Sequence, residues 1–528
     1  MNDAPGRKSG GETRRARGDF SAIRIHKRFE PNPTPQSNAR HPIVIVGGGP
    51  VGMTLALDLG RRGHEIVILN QYDFIADGSK AICFSKRTLD IWNRLGVGRA
   101  MVEKGVSWNV GKVFRGARKE PIFQFDMLAQ KDQEMPGFIN LQQYWAEEIL
   151  VDAAAALPNI DFRWGHQVAA IDLAENRLSV ITDDGEYDLR ADWIIAADGS
   201  KSPMRAMLGL DFEGRVFEDN FLIADVRFKE ERPSERWFWF DPPWGGSSAL
   251  LHKQPDDVWR LDFQLGWNID RDAAKNDENV AARVRGMIGA DHPFEKVWYS
   301  VYTFQCRRMK RFVHDRVIFV GDSAHLVSPF GARGCNGGVA DVDNLGWKLD
   351  AVMRGADPAL IETYNEEAII TADENILNST RSTDFITPKS AVSAAFRSAV
   401  LDLAENYEFA RPFVNSGRLS VAVSYPASEL TTPDEDRWSG GVPPGSPALD
   451  APLDGGWLLS RLGWEWKLLA AAPIKNAPLP VVILDDEKAR ARYALDGAGA
   501  YLIRPDQYVA ARWKAFDPKK LEAARWLG

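Results

Sequence analysis

The sequence predicts an α/β protein that opens with a Rossmann-type βαβ unit. A buried-strand pattern at Ile43–Val46 leads into the glycine-rich sequence GGGPVG (47–52) and then into a helical pattern at Met53–Arg62. Residues 216–304 alternate β-type residues over a long stretch, and residues 453–528 mix short strand and helix patterns. Since each pattern must bury one apolar face, we expect an α/β domain, an inserted β-sheet domain and a small C-terminal α/β domain.

The length, amino-acid composition and net charge of the chain limit the classes of function that it can have. The chain has 528 residues, 45% of them hydrophobic and 26% charged, which is ordinary for a soluble globular protein of two to four domains. The net charge of -8 argues against a general nucleic-acid-binding role. The three cysteines, Cys83, Cys306 and Cys335, are far apart and form no CxxC motif. We therefore expect neither a metal site nor a disulfide framework, and we expect a reducing cytoplasm.

Two segments have the composition of connectors. Residues 1–40 are rich in Gly, Pro and Arg and lack hydrophobic periodicity, so we interpret them as a flexible basic tail. Residues 431–452 are rich in Pro, Gly and Asp and predict a linker. The apolar stretch at 42–59 is interrupted by glycines and by Asp58, which disfavours a membrane span.

The sequence GGGPVG contains a GxGxxG motif between a strand and a helix. Gly47 permits the tight turn, Gly49 lets the backbone approach a pyrophosphate, and Gly52 lets the helix pack closely on the strand. Pro50 stands at the start of the helix, whose N-terminus would face the phosphates. The motif predicts a bound dinucleotide.

The position after the second strand, Glu65–Leu69, normally carries an acid that holds the ribose. Here it is Asn70, which accepts a hydrogen bond without charge, and Gln71 is an alternative contact.

A second glycine-rich stretch, GDSAHLVSPFGARGCNGG, spans residues 321–338. Its side chains suggest a hydrolase with Ser323 or Cys335 as nucleophile, and its backbone suggests a bed for a flat ligand. Ser323 and His325 are two residues apart, whereas a nucleophile and its base usually converge from distant positions, and no G-x-S-x-G turn is present. We therefore prefer the ligand bed, with His325 and Cys335 as packing residues.

Three elements together resemble a known family. They are the GxGxxG motif, the Asp198-Gly199 pair after a buried strand, and the Gly321-Asp322 pair that opens the second glycine-rich stretch. This set is similar to that of the group A FAD-dependent aromatic hydroxylases, which include para-hydroxybenzoate hydroxylase and phenol hydroxylase. Residues 79–97, 139–150 and 321–349 resemble that family's FAD-contact segments.

The resemblance implies a domain arrangement. A Rossmann-type FAD-binding domain would comprise residues 41–215 and 305–385, and a β-rich substrate domain would be inserted at 216–304. A helical connection at 386–430 and the linker would lead to residues 453–528, which are similar to the thioredoxin-like domain of the 3-(3-hydroxyphenyl)propionate hydroxylase branch. That last domain has no cysteine and so no dithiol chemistry; a structural role or a homodimer contact is the expectation.

The resemblance also implies cofactor contacts. Asp322 would bind the ribityl chain, Asp198 would lie near the pyrophosphate, and the 329–338 segment would lie along the isoalloxazine ring. Two alternatives remain for Arg333: its side chain adds positive charge near the flavin or the substrate, or it points to solvent. The remaining residues expected to contact FAD are Lys80, Arg87, Gln143, Pro329, Gly331, Gly334, Cys335 and Asn336.

The implied reaction is hydroxylation of a phenolic or catecholic ring in the breakdown of aromatic compounds. NAD(P)H would reduce the FAD without a Rossmann domain of its own, O2 would form a flavin C4a-hydroperoxide, and this would hydroxylate the ring. A base or proton relay would activate the phenol. Besides Pro329 in the loop, the polar candidates for substrate contact are Asp77, Asp225, His252, Arg260 and Tyr302.

Other interpretations remain open. Six tryptophans at 237–298 form either a β-rich core or a wall around an aromatic ligand. WFWFDPP (237–243) partly matches a flavin-dependent halogenase signature, whose lysine would be Lys80. A flavin-binding redox module without turnover is the third alternative. NAD(P)H consumption with and without phenols, and the chloride dependence of product formation, would separate them.

Overall fold

The computed structural model describes residues 24–77, 81–108, 110–126, 131–216, 219–267, 269–415 and 420–524. None of the helices in these ranges is both long enough and apolar enough to cross a membrane. The helices are α1 (Pro50–Arg61), α2 (Lys86–Arg94), α3 (Gly98–Lys104), α4 (Gln143–Ala155), α5 (Pro203–Met207), α6 (Arg271–Ala274), α7 (Asp277–Ile288), α8 (Gly334–Met353), α9 (Leu360–Ile386), α10 (Ala391–Asn406), α11 (Arg411–Asn415), α12 (Leu458–Leu462), α13 (Glu487–Tyr493) and α14 (Pro518–Ala523).

The strands of the described residues assemble into several sheets. They are β1 (Ile25–Arg28), β2 (Ala39–Val46), β3 (Ile66–Asn70), β4 (Phe74–Ala76), β5 (Cys83–Ser85), β6 (Val106–Ser107), β7 (Val110–Arg115), β8 (Phe123–Asp126), β9 (Phe138–Asn140), β10 (Ile160–Trp164), β11 (Gln167–Asp172), β12 (Arg177–Ile181), β13 (Glu186–Ala196), β14 (Phe212–Val216), β15 (Asn220–Phe228), β16 (Arg236–Phe240), β17 (Ser248–Lys253), β18 (Val258–Gly266), β19 (Phe294–Tyr302), β20 (Gln305–Met309), β21 (Val313–His314), β22 (Val317–Phe319), β23 (His325–Leu326), β24 (Pro452–Leu453), β25 (Gly456–Trp457), β26 (Lys467–Ala470), β27 (Val481–Ile483), β28 (Ala500–Ile503) and β29 (Val509–Trp513).

The first large sheet confirms the predicted α/β fold class. Its strands β10, β3, β2, β13 and β22 run parallel, and β12 and β11 extend it as an antiparallel hairpin beside the first half of β13. The central strand residues Ile43–Val46 are 0–7% exposed, because α1 packs on the sheet and apolar residues of α8 join the same core. Such near-continuous apolar runs are typical of parallel strands buried on both faces.

The second large sheet has seven strands in the order β19-β15-β18-β17-β16-β7-β8, antiparallel except for the β16–β7 pair. It therefore includes two strands, Val110–Arg115 and Phe123–Asp126, that precede the segment in which the sequence placed the inserted sheet. Of the two, only FQFD (123–126) alternates apolar and polar residues, and the pairing of β7 with β16 and with β8 shows which sheet they join.

Three local expectations differ from the structure. Ile25–Arg28, inside the predicted flexible tail, is a strand that pairs with Phe74–Ala76, although residues 1–23 lie outside the described residues. The helix expected over 79–100 begins only at Lys86, after β5. The predicted linker is packed, since Val442, Ala448 and Ala451 are buried with the C-terminal apolar core.

The C-terminal segment forms a mixed four-stranded sheet, β27-β26-β28-β29, that contacts α8 and α9 through buried charges. Glu367 of α9 accepts hydrogen bonds from Arg504 at 2.7 and 2.9 Å and from Lys348 of α8 at 2.8 Å. Arg504 also donates to Asp506 at 2.6 and 3.0 Å. All four side chains are at most 1% exposed. Burial lowers the pKa of Lys348 to about 8, whereas Arg504 and Lys348 hold the pKa of Glu367 low against the opposing effect of burial.

Replacing Glu367 by Gln removes the carboxylate that compensates two buried cations. We expect a loss of about 3–5 kcal/mol in the free energy of unfolding, because an uncompensated buried charge remains. Glu362→Gln is the matched control on the same helix, since its ion pair with Arg311 is about half exposed and should contribute at most about 1 kcal/mol. Denaturant melts of the purified holoenzymes check this; equal losses in the two variants would contradict it.

Candidate functional site

The first glycine-rich loop leaves the N-terminus of α1 open. Gly47 has φ +113°, and a Cβ there would lie 2.3 Å from the carbonyl oxygen of Ala197. A Cβ on Gly52 would lie 2.2 Å from the carbonyl oxygen of Gly47. By contrast, a Cβ on Gly49 would meet nothing within 4 Å, and no side chain of the described residues caps the helix that starts at Pro50. Its first N–H groups are therefore available to an anion such as a phosphate.

Asn70, at the end of β3, is tied to this loop. Its Oδ1 accepts from the backbone N–H of Gly48 at 3.2 Å, and its Nδ2 donates to the carbonyl oxygen of Tyr72 at 3.0 Å. Asn70 therefore stabilises the turn of the glycine-rich loop. It occupies the position at which other dinucleotide-binding folds carry an acid that holds the ribose. Gln71 follows it, half-buried, at the same edge of the sheet.

Three loops meet because β2, β13 and β22 are parallel neighbours. They carry Gly47, Asp198 and Asp322 respectively, as the sequence motifs predict. Asp198 accepts from the backbone N–H of Met204 at 2.9 Å, and its other oxygen is buried without a hydrogen-bond partner in the described chain. Burial raises the pKa of this carboxyl. Asp322 is exposed at the mouth of the same cleft.

The second glycine-rich stretch, predicted to be the bed for a flat ligand, is a loop of irregular backbone that leads into α8. Gly331 and Ala332 have φ +99° and +54°, and α8 then begins at Gly334 with no side-chain cap among the residues described. Pro329 is exposed, and an ideal Cβ on Gly334 would be 4.0 Å from Asp322 Oδ1. The helix N-terminus offers a partial positive charge beside this bed.

The side chains that suggested a hydrolase have structural partners. Ser323 Oγ donates to the carbonyl oxygen of Ala196 at 2.6 Å, and His325 Nε2 is 2.6 Å from Asp341. Although burial opposes it, the Asp341 carboxylate raises the pKa of His325. Burial raises the pKa of the Cys335 thiol well above its usual value, which disfavours a thiolate nucleophile.

Several predicted FAD contacts are engaged in other contacts. Arg87 Nη2 donates to Asp343 at 2.8 Å and to the carbonyl oxygen of Asp506, which joins α8 to the C-terminal segment, while Nη1 has no acceptor among the described residues. Asn336 accepts from Thr88 at 2.6 Å and from the Ser85 N–H at 2.9 Å, which fixes α8 to α2.

Gln143 and Arg333 also have partners of their own, whereas Lys80 lies outside the described residues. Gln143 starts α4 and accepts from the Ala81 N–H at 3.1 Å. Arg333 is 2% exposed and donates to Asn375 at 3.1 Å, so the solvent-facing alternative is wrong. Burial lowers the pKa of Arg333 to about 10.

The opposite wall is one face of the seven-stranded sheet. Asp225, Arg260 and His252 are directly paired residues on β15, β18 and β17, so their side chains share that face. Arg260 donates twice to Asp225 at 2.7 Å, which makes a buried neutral pair. Tyr302 lies on the same face further along β19, where burial raises its pKa well above the usual value. The structure thus brings together four of the five polar candidates.

Asp77 lies at the margin of this group, where it pairs with Arg24 at 3.3 Å.

His252 is the buried titratable group at the centre of this wall. It is 2% exposed; its Nδ1 is 3.9 Å from Cys83 Sγ and its Nε2 is 3.5 Å from Asp262. Burial lowers the pKa of His252 to about 4, with a further contribution from Arg236. The sequence prediction missed Asp262, Cys83 and Arg236, although the period of two along β18 indicates that Asp262 shares the face of Arg260.

Apolar contacts join the two walls. Ala332 of the bed packs against Cys83, Trp108 and Phe138, the cluster that lies beside His252. Further along, Phe330 packs against Phe221 of the sheet at 4.8 Å between ring centroids. The bed and the polar face are therefore opposite walls of one site, joined by apolar contacts.

The tryptophan cluster belongs mainly to the core. Trp237, Trp239, Trp244 and Trp259 lie in the apolar cluster between the other face of the sheet and α7. Trp298 is on the cleft side, with its ring centroid 5.7 Å from the Arg260 guanidinium. WFWF is thus a core strand, and Asp241 after it pairs with Arg397.

The fold and this site define a flavin-nucleotide-binding oxidoreductase. The donor set fits FAD, since the open α1 N-terminus suits a pyrophosphate, Asp322 suits a ribityl chain, and the backbone of 329–334 suits a flat ring. The family described as "FAD binding domain" matches residues 40–379, and the chain belongs to that family.

Relatives and solved structures agree with this assignment. The chain is 27% identical to a flavin-dependent monooxygenase of Mycobacteroides abscessus, over 88% of this chain and 96% of the relative. It is 27% identical to para-nitrophenol 4-monooxygenase of a Pseudomonas species, over 61% of this chain and 81% of the relative. The solved flavin-dependent monooxygenase PieE, in complex with FAD and substrate, has the same fold (TM-score 0.74, 22% identity, 91% of this chain and 97% of that one).

The chain is therefore an FAD-dependent monooxygenase, and its resemblance to the group A aromatic hydroxylases is confirmed.

Two glycine variants separate ligand binding from folding. Gly49→Ala should lower FAD affinity at least tenfold while leaving the melting temperature of the apoprotein unchanged, because its methyl would meet only ligand. Gly52→Ala should lower both, because its methyl would collide with the Gly47 carbonyl. FAD titration and apoprotein melts check this; unchanged FAD affinity in Gly49→Ala would contradict the placement of the phosphates.

Proposed function

We propose that this protein is an NAD(P)H-dependent monooxygenase that hydroxylates a phenolic or catecholic ring. The observation that carries the proposal is the buried, neutral imidazole of His252 beside the Asp262 carboxylate, on the wall that faces the backbone bed. A relative named para-nitrophenol 4-monooxygenase supports a phenolic substrate. FAD, when bound, supplies two-electron redox chemistry and oxygen activation.

The residues of the site have separate tasks in this proposal. His252 accepts the phenolic proton, and the Asp262 carboxylate, 3.5 Å from Nε2, stabilises the imidazolium that results. A phenolate ring is richer in electrons and therefore more reactive towards an electrophilic oxygen. The Arg260–Asp225 pair fixes the polar face without adding net charge.

The apolar contacts of the site exclude water. Phe221, Phe304 and Phe330 pack with ring centroids 4.8–5.5 Å apart where the sheet meets the bed. Exclusion of water from the site protects reactive intermediates from hydrolysis. At the other wall, Asp322 would hold the ribityl chain of FAD and the N-terminus of α8 would face the ring system.

A phenol panel tests the proposal directly. With NADH and with NADPH, we expect at least one simple phenol, hydroxyphenylpropionate or substituted catechol to stimulate oxygen uptake and give a product 16 mass units heavier, or one that has exchanged a ring substituent for hydroxyl. Oxygen uptake and product mass are the measurements. Reductant oxidation that no phenol stimulates, or a chloride-dependent product, would contradict the proposal.

A His252→Asn variant tests the proton acceptor. We expect kcat to fall about 10²–10⁴-fold with FAD content unchanged. Because the imidazole in the free enzyme is protonated only near pH 4, the wild-type kcat/KM should lose activity to acid near pH 4–5 and should show no His-like step at 6.5. His292→Asn, an exposed histidine paired with Glu230 in the same part of the chain, is the control. An unchanged kcat in His252→Asn would exclude His252 as the acceptor.

A further inference from the structure

Arg236 is a buried cation that lacks a counter-ion. It is the first residue of β16 and is 6% exposed, yet no carboxylate of the described residues lies within 4.0 Å of its guanidinium. Nearby arginines contrast with it: Arg260 pairs with Asp225, and Arg397 pairs with Asp241. Burial of an unpaired charge is costly, so a group of this kind calls for a functional reason.

The surroundings of Arg236 hold the guanidinium in place but leave donors unused. Nη1 donates to Cys83 Sγ at 3.5 Å, and the group lies 5.4 and 5.3 Å from the ring centroids of Trp108 and Phe238. Nε is buried and has no acceptor in the part of the chain that the structure describes. The sulfur of a thiol is a weak acceptor, so these contacts orient the charge without compensating it.

Arg236 lies inside the candidate active site. It is the cross-strand partner of His252, and both side chains contact Cys83. Cys83 and Trp108 in turn pack against Ala332 of the backbone bed. Three other charged groups lie on the same face of the sheet as Arg236. Asp262 lies beside His252, and Arg260 and Asp225 compensate each other.

We propose that Arg236 binds the carboxylate of an aromatic carboxylic acid, and that the substrate therefore belongs to the hydroxylated aryl acids. The inference rests on the proposed function. A carboxylate suits the guanidinium because two oxygens match a planar fork of N–H donors. The flanking rings of Trp108 and Phe238 suit the apolar skeleton that carries the acid.

The test uses binding rather than turnover. Benzoate and 3-phenylpropionate, which carry no phenolic hydroxyl, are each titrated calorimetrically into the FAD-loaded enzyme, and each is paired with its neutral amide. We expect at least one acid to bind about 10–100-fold more tightly than its amide, because a charge-assisted pair is lost with the amide. In Arg236→Gln this preference should vanish, and in Arg236→Lys it should be reduced.

Arg227→Gln is the matched control, since Arg227 is on β15 of the same sheet but is exposed and paired with Glu295. It should keep the full preference for the acid. Thermal melts add a second readout: removing an uncompensated charge should leave the melting temperature of Arg236→Gln unchanged or raised, whereas loss of a structural arginine would lower it.

The inference is overturned if neither acid binds more tightly than its amide, if Arg236→Gln keeps the preference, or if Arg236→Gln unfolds. These outcomes are distinct from failure of the proposed function. Oxygen uptake stimulated by neutral phenols with no preference for acids would reject only the anion site. An acid preference without any phenol-stimulated turnover would reject only the hydroxylase.

Discussion

The close approach of three backbone loops at the ends of β2, β13 and β22 is the constraint on which the rest of the structure depends. Gly47 can contact Ala197 only because it has no Cβ, and Gly52 contacts the carbonyl of Gly47 for the same reason. This contact sets α1 directly against the sheet and turns its N–H groups toward open space. It also fixes the position of Asp198 and Asp322, since both follow strands of the same parallel set. Phosphate and ribityl contacts thus depend on backbone packing more than on particular side chains.

The seven-stranded sheet separates packing from chemistry by alternation. On β16, Trp237 and Trp239 point to the core under α7, whereas Arg236 and Phe238 point to the cleft. On β18 the same alternation places Leu261 and Phe263 in the core and Arg260 and Asp262 at the site. Because β15, β18, β17 and β16 are in register, polar side chains distant in sequence form one row. If one of these strands shifted its register by one residue, its own polar side chain would turn from the site into the core.

The sequence predicts best where a local backbone requirement selects the residue. Gly47, Gly49, Gly52 and the bed at 329–334 were all found this way, and the fold class followed from them. The partners of Arg87 and Asn336, Asp343 and Thr88, are brought to them by tertiary packing, so the sequence does not reveal these contacts. Arg236 was missed altogether. Its importance lies in the absence of a carboxylate nearby within the described residues, and no sequence pattern reports which charges stay unpaired.

The C-terminal sheet has a physical connection to the site although it contains no cysteine. Arg504 and Lys348 share Glu367, and Arg87 links Asp343 to the Asp506 backbone, so the C-terminal segment contacts the middle of α8. Asn336 fixes the beginning of α8 to α2, just beyond the residues that form the bed. Because α8 is held at Asn336 and at Lys348, it cannot shift without breaking buried hydrogen bonds or separating buried charges. In the proposed function the N-terminus of α8 faces the flavin, and the buried charge network would hold that helix end in a fixed position.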